Sequence, residues 1–413
     1  MLRSLFAGVS GLRSHQTFMD VTGNNIANVN TTGFKASTTA CQDLLSQVLQ
    51  GATSGTDVQG GSNPAQVGLG VRVAAITTNF SQGALQTTGK ATDIALQGDG
   101  FFIVRQNGQE MYTRAGNFDF DSNGNFVNVN GGLVQGWMVD PATGQADTTA
   151  APGIISLPPG QLTDPIKTNN IVLGNMLSSD APIGAQAHTT SVVYDTQGNA
   201  NELSFNLEKT AANTWTIETL DQSGTSLGSA TLVFDPATGR LATQTPANYQ
   251  VSPLPAANWP TPLTVSFGAP GDPKALKEFA GISTIDEMRQ DGLPSGTLQS
   301  FRIGADGTIS GVFSNGTTKA VAQIAIANFN NPSGLEKASG NNYRMTPNSG
   351  TAQVGTAGTA GRGTIAGGTL EMSNVDLSAE FTNLIIGQRG FQANSKVITT
   401  SDEMLQELLN MKR

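Results

Sequence analysis

The chain contains no proline between Asn374 and Arg413, and this stretch limits the fold more than any other. Taken alternately four and three residues apart, its positions read Leu377, Phe381, Leu384, Gln388, Phe391, Ser395, Ile398, Asp402, Leu405 and Leu409. That is a heptad seam, apolar at most of its positions. Ser373 or Asn374 can cap its start, and Asp376 and Glu380 suit the positive end of a helix dipole. Lys412 and Arg413 suit the negative end. A helix of about 38 residues would be roughly 57 Å long at about 1.5 Å per residue. It is too long and too narrow-striped to fold back into a small core, so it needs a helical partner.

The start of the chain supplies one. Leu2, Leu5, Val9, Leu12, Gln16, Met19, Gly23 and Ile26 repeat the same spacing. Gly8, Gly11 and Gly23 weaken this second helix, because each glycine costs up to about 1 kcal/mol in a helix. The expectation is a helix that forms only against its partner. Its short apolar opening, broken by Arg13 and with no small-x-small cleavage site, reads as a mature amphipathic helix rather than a signal peptide.

Between the two ends, the sequence reads as turns and strands. Clustered Asn, Thr and Gly at 24–33 end the first helix. Leu44, Leu45, Val48 and Leu49 predict a brief helix over 43–50, and 51–70 reads as a Gly/Ser/Gln-rich connector. From Val71, strand patterns alternate with turns, including the hairpin signal Asn107-Gly108. Asp140-Pro-Ala-Thr-Gly144 recurs at Asp235–Gly239 as a β-turn. Prolines fall between the strand candidates of 145–295, and 350–368 is again a Gly/Thr/Ala-rich connector. With 413 residues there is ample length for two or three domains.

The residues point away from catalysis. His15 and His188 have no ligand spacing to other metal-binding residues, and Cys41 is the single cysteine. No GxSxG, HExxH or phosphate loop is present. Asp119-x-Asp121-x-Asn123-Gly124 imitates the start of a calcium loop, but the twelfth position is Asn130, so a hairpin turn is expected. No cofactor and no metal is expected. Net charge is −9 with no cationic cluster, which argues against nucleic acid, and no apolar run is long enough for a transmembrane helix. Charged residues make up only 13% of the chain, against roughly 25% in an average globular protein, so the surface suits packing against copies of itself.

Several motifs then coincide. They are Ser10-Gly-Leu12, Asp20-Val-Thr-Gly-Asn-Asn-Ile-Ala-Asn28 and Thr32-Gly-Phe-Lys35 near the start. Gly98-Asp-Gly-Phe-Phe102, Tyr112-Thr-Arg-Ala-Gly-Asn-Phe118 and Ile324-Ala-Ile-Ala-Asn-Phe329 follow in the middle. Gln388-Arg-Gly-Phe-Gln-Ala-Asn-Ser-Lys396 and Asp402-Glu-Met-Leu405 close the set. Together the chain resembles the bacterial flagellar axial proteins of rod and hook, and the hook members most closely. A distal-rod or hook-like member is the alternative, and a surface adhesin is the competing class.

The resemblance implies a structural protein outside the cell, whose copies polymerise into a short, curved, hollow tube. Such a tube serves as a universal joint between rod and filament. It also implies export through the flagellar type III apparatus. The implied partners are further copies, a distal rod protein, a hook cap protein and a hook–filament junction protein. Leu2, Leu5, Val9, Leu12, Met19, Ile26, Leu377, Phe381, Leu384, Phe391, Ile398, Leu405 and Leu409 would then form the assembly interface. The expected fold class is α+β, with long terminal helices pairing as a coiled coil and two nested, mainly-β domains. The expected divisions are 1–30 with 372–413, 31–70 with 350–371, 71–144 with 296–349, and 145–295.

Overall fold

A computed structural model describes residues 2–52, 54–55, 60–140, 143–158, 160–253, 258–268 and 275–411. The protein is mostly β, with one long helix near each end. Helix α1 spans Leu2–Ala27 and α2 spans Leu377–Asn410. At 34 residues, α2 is about 51 Å long. Its cap is Asp376, whose carboxylate accepts the N–H groups of Ser378 (2.9 Å) and Ala379 (3.2 Å). Ser373 and Asn374 do not serve this role. Asn374 Oδ1 accepts the Ala36 N–H at 2.8 Å, and its Nδ2 donates to the Asn79 carbonyl at 2.9 Å. The backbone groups it binds had stronger claims on it than the helix end. Lys412 and Arg413 lie outside the described residues.

The helix expected over 43–50 is a strand. Strands β1 (Ser37–Asp43) and β2 (Ser46–Gln50) run antiparallel to β4 (Val71–Thr78) and β3 (Ala65–Gly68), respectively. Asp43 pairs with Val71 and Ser46 with Gly68, so the pairs make one long ribbon. A short Leu-Leu-x-x-Val-Leu run fits either period, and here cross-strand hydrogen bonding decides the conformation. The connector expected over 350–368 also contains strands. Gln353–Gly355 pairs with Ile326–Asn328, and Thr364–Gly367 pairs with Ile94–Gln97.

The chain divides into two compact units. One comprises Met1–Pro159, Phe301–Gly311 and Lys319–Arg413, and the other Gly160–Ser300 and Val312–Thr318. In the first, strand Phe101–Gln106 pairs with Gln109–Thr113 and with Leu133–Met138. Asn107 (φ 51°) and Gly108 (φ 78°) turn the first hairpin with the two positive φ angles its tight loop needs. Phe101, Tyr112, Phe329 and Tyr343 bury their rings in one cluster. Tyr112 and Phe329 meet edge-to-face at 4.8 Å, and Phe101 and Phe329 at 5.8 Å. Three of the sequence motifs are thus parts of one core. The calcium-like stretch is a hairpin turn, in which Asp121 accepts the N–H groups of Asn123 (2.9 Å) and Asn125 (2.8 Å).

The second unit is built on a five-stranded antiparallel meander. Its strands are Gln186–Tyr194, Ala200–Ala211, Thr214–Leu220, Ser226–Phe234 and Leu241–Thr245, in sequence order. Alternation sends Leu203, Phe205 and Leu207 inward with Trp215, Ile217 and Leu232. Buried among them are Lys209 and Glu278, 3.1 Å apart. Trp215 Nε1 donates to the same carboxylate at 3.0 Å, so the buried charges are paired and hydrogen-bonded.

Candidate assembly interface

Helices α1 and α2 lie against each other antiparallel. Ser4 faces Ser401, with hydroxyls 3.5 Å apart, and Asn25 Nδ2 donates to Glu380 at 3.0 Å. Between these ends, Gly8 abuts Ile398, Gly11 abuts Asn394, Gly390 abuts the ring of His15, and Gly387 abuts Phe18 and Met19. A methyl group on Gly11 would come 2.8 Å from the Asn394 side chain, and one on Gly390 would overlap the imidazole. The backbones therefore approach closely because these positions have no side chain.

Within one chain the helices meet on a face beside the apolar heptads, sharing Met19 and Ile398 with them. The contact runs along Ser4, Gly8, Gly11, His15, Phe18, Met19 and Asn25, mostly one residue before the apolar heptad of α1. On α2 it runs along Glu380, Gly387, Asn394, Ile398 and Ser401. Hydropathy does not mark glycine and serine, so this face carries little periodic signal in the sequence. Gly8 and Gly11, which lower helix propensity, belong to the contact surface, whereas a Cβ on Gly23 would meet nothing within 4 Å. Leu5, Val9, Leu12, Met19 and Ile26 are half-buried, as are Leu384, Ile398 and Leu405. The side chain of Leu2 lies outside the described part. Leu377, Phe381, Phe391 and Leu409 are exposed, along with Ile385, Ile386, Val397, Met404 and Leu408.

Gly11→Leu and Gly390→Leu are each expected to force the helices apart. Overpacking of this kind costs about 1–3 kcal/mol. The concentration at which self-association begins should therefore rise by about tenfold, measured by sedimentation, since about 1.4 kcal/mol is tenfold. Association at the parental concentration would show that close helix contact is unimportant.

Both helices are anchored at the same place. Residues 33–35 follow α1, and Glu371 precedes α2. Lys35 Nζ lies 2.7 Å from Glu371 Oε1 and donates to the Ser81 carbonyl at 2.7 Å. Gly83 N–H donates to Glu371 Oε1 at 2.9 Å, and Arg114 Nη1 lies 3.6 Å from Oε2. The side chains of Lys35 and Glu371 have no exposed surface, and Arg114 is almost as buried. Burial pushes the Lys35 ammonium below its ordinary range, although the Glu371 carboxylate opposes that. Burial likewise lowers Arg114. Gly33 has φ 66°, and its N–H donates to the Glu371 carbonyl at 2.7 Å. A Cβ there would meet the Ala115 nitrogen at 2.5 Å, so the site needs glycine twice over. Asn25 Nδ2 also donates to the Ser37 carbonyl (2.8 Å), and its Oδ1 accepts the Ser37 N–H (3.0 Å). The sequence reading noted Lys35 and Arg114 only within motifs and missed Glu371. Its signal was a charge beside apolar residues in a charge-poor chain.

On the ribbon side of α1, Ser10 Oγ accepts the Val71 N–H at 3.3 Å. Leu45, Val48, Leu49 and Ile76 of the ribbon are exposed. Among the described residues, no group of three or more His, Cys, Asp or Glu side chains is placed to hold a metal, and no helix is long and apolar enough to cross a membrane.

Four sequence families match the chain. Residues 5–35 match "Flagella basal body rod protein", and 366–411 match "Flagellar basal body rod FlgEFG protein C-terminal". Residues 95–193 match "Flagellar hook protein FlgE/F/G D1 domain", and 176–293 match "Flagellar basal body protein FlaE D2 domain". The flagellar hook protein FlgE of Borreliella burgdorferi is 41% identical over 443 aligned residues, covering all of both chains. That of Treponema pallidum is 39% identical, again over the whole of both. The flagellar basal-body rod protein FlgG of Bacillus subtilis is 31% identical, with both chains fully covered. A crystal structure of Helicobacter pylori FlgE2 aligns with a TM-score of 0.48 and 16% identity, covering 70% of this chain and all of that one.

Proposed function

The chain belongs to the flagellar hook protein family, and from that premise we propose how its parts divide the work of a self-assembling tube. It is a structural subunit of the bacterial flagellum outside the cell, not an enzyme, and it polymerises with copies of itself. The hook it builds acts as a universal joint carrying torque from rod to filament. The finer reading is that α1 and α2 pair as a coiled coil and form the inner wall. Residues 1–30 with 372–413 make that inner layer. Residues 31–70 with 350–371 form a connector, 71–144 with 296–349 an inner β domain, and 145–295 an inserted outer β domain.

In this reading, Leu377, Phe381, Phe391 and Leu409, with the apolar heptad of α1 from Leu2 to Ile26, pack against neighbouring copies. Leu384, Ile398 and Leu405 complete the wall. The observation that carries the proposal is the apolar surface left on α2, where Phe381 is 52% exposed and Leu409 is 68% exposed. A stripe that long on a soluble surface marks an interface. An open head-to-tail contact repeats into a helical tube. The distal rod protein, hook cap protein, hook–filament junction protein and type III export apparatus are the other partners proposed.

Negative-stain microscopy of the purified full chain under polymerising conditions should show curved hollow tubes. Straight tubes would favour a distal rod subunit, a reading suggested by the full-length FlgG relative. Discrete monomers or closed rings would overturn the proposal.

A further inference from the structure

An open groove of about 370 Å³ runs between α1 and the ribbon. Phe6, Leu44 and Val73 supply apolar surface, and Arg13 and Arg72 line the same groove. Phe6 is 66% exposed and Leu44 is 47% exposed, so the groove is unfilled apolar surface beside two cations. The same chain's α2 does not reach it. Phe6, Arg13 and Thr17 each stand two residues, about 200° around the helix, from Gly8, Gly11 or His15, which face α2. Whatever fills the groove must come from elsewhere.

The C-terminal third of α2 has the complementary surface. Val397, Met404, Leu408 and Met411 fall on one stripe at spacings of seven, four and three residues, and all are exposed. Glu403 and Glu407, one turn apart, border one edge of this stripe and are also exposed. Among the described residues neither has an ion-pair partner. Among the described residues, the nearest cation along that edge is Lys396, about 10 Å from Glu403 along the helix axis. The apolar strip and its acidic border match an apolar groove flanked by two arginines, in shape class and in charge.

We propose that the groove between α1 and the ribbon receives the C-terminal third of α2 from a second copy, with Glu403 and Glu407 against Arg13 and Arg72. This contact rests on self-assembly and specifies one of its joints. It makes α2 a two-sided element, with its glycine face on its own α1 and its acidic face on the α1 and ribbon of a neighbour.

Charge reversal tests it. Arg13→Glu with Arg72→Glu, and separately Glu403→Arg with Glu407→Arg, should each raise the concentration needed for tube formation by at least tenfold. The chain carrying all four substitutions should return towards the parental concentration, because every copy then holds both a reversed groove and a reversed key. A purely structural role within one chain would not give that rescue. Loss that the fourfold variant leaves unrescued would overturn the contact.

A second measurement covers variants that fold poorly. In a Cys41→Ser chain, Val73→Cys with Leu408→Cys should give disulfide-linked ladders when tubes are oxidised and none from monomers. Tubes that form without Val73–Leu408 cross-links would refute this joint while leaving self-assembly intact. A parental chain that forms no tubes would refute both.

Discussion

Truncation after Val375 is expected to abolish tube formation at every soluble concentration while leaving both β-rich units folded. The cut spares Asn374, which holds the Ala36 and Asn79 backbone, and it spares the Lys35–Glu371 pair. It removes α2, the only partner of the α1 glycine face among the described residues. Helix α1 contains Gly8, Gly11 and Gly23, and without α2 it keeps the ribbon contacts of Ser10 and Asn25 but too little propensity to persist on them. Circular dichroism should therefore show loss of nearly all helix, from both ends of the chain. The aromatic core of Phe101, Tyr112 and Phe329 does not include α2, so cooperative thermal unfolding should remain. Tubes formed by the truncated chain would refute the division of labour between helices and β-rich units.

The second large effect is expected at Glu371. Two buried cations, Lys35 and Arg114, share this one carboxylate. Glu371→Gln keeps the side chain's shape but removes the carboxylate both cations share, leaving Arg114 the attraction of Asp99 and Lys35 its bond to the Ser81 carbonyl. Breaking a buried pair in this way costs about 3–5 kcal/mol. Lys35→Met leaves Arg114 and Glu371 as a neutral pair and should cost distinctly less. Urea unfolding of the monomer measures both, and the ordering is the decisive result. Equal losses, or a greater loss for Lys35→Met, would mean that net charge at this junction is not what holds it.

Much of this architecture can be read from the sequence, but in uneven ways. A proline-free heptad pattern reveals α2, because a long helix needs many turns and each turn repeats the signal. Asn107-Gly108 reveals its hairpin because few residues tolerate two positive φ angles in succession. The pairing face of the helices is harder to see. It is made of Gly8, Gly11, Gly387 and Gly390, whose value lies in volume they do not occupy. The strand at Ser46–Gln50 is hidden because its pairing partner decides between two periods that fit equally well. The buried ion cluster is hidden for another reason. Lys35, Arg114 and Glu371 are far apart in the chain, and only the fold brings them together. Asp376 was noted as a favourable charge at the helix start, but not as the cap it provides.

The ion cluster and Asn25 hold the two helices at one end. At that end Asn25 reaches Glu380, and Lys35 reaches Glu371. At the far end the Ser4 and Ser401 hydroxyls lie 3.5 Å apart. The pair is thus built like a tuning fork rooted in the β-rich unit, with the ribbon lying along one tine, where Ser10 Oγ accepts the Val71 N–H at 3.3 Å. A twist applied to that unit enters both tines together at the root. Any slip of one tine past the other grows with distance from it. Load passing along the wall is therefore shared at the root, and the tips are where one subunit can adjust to the next.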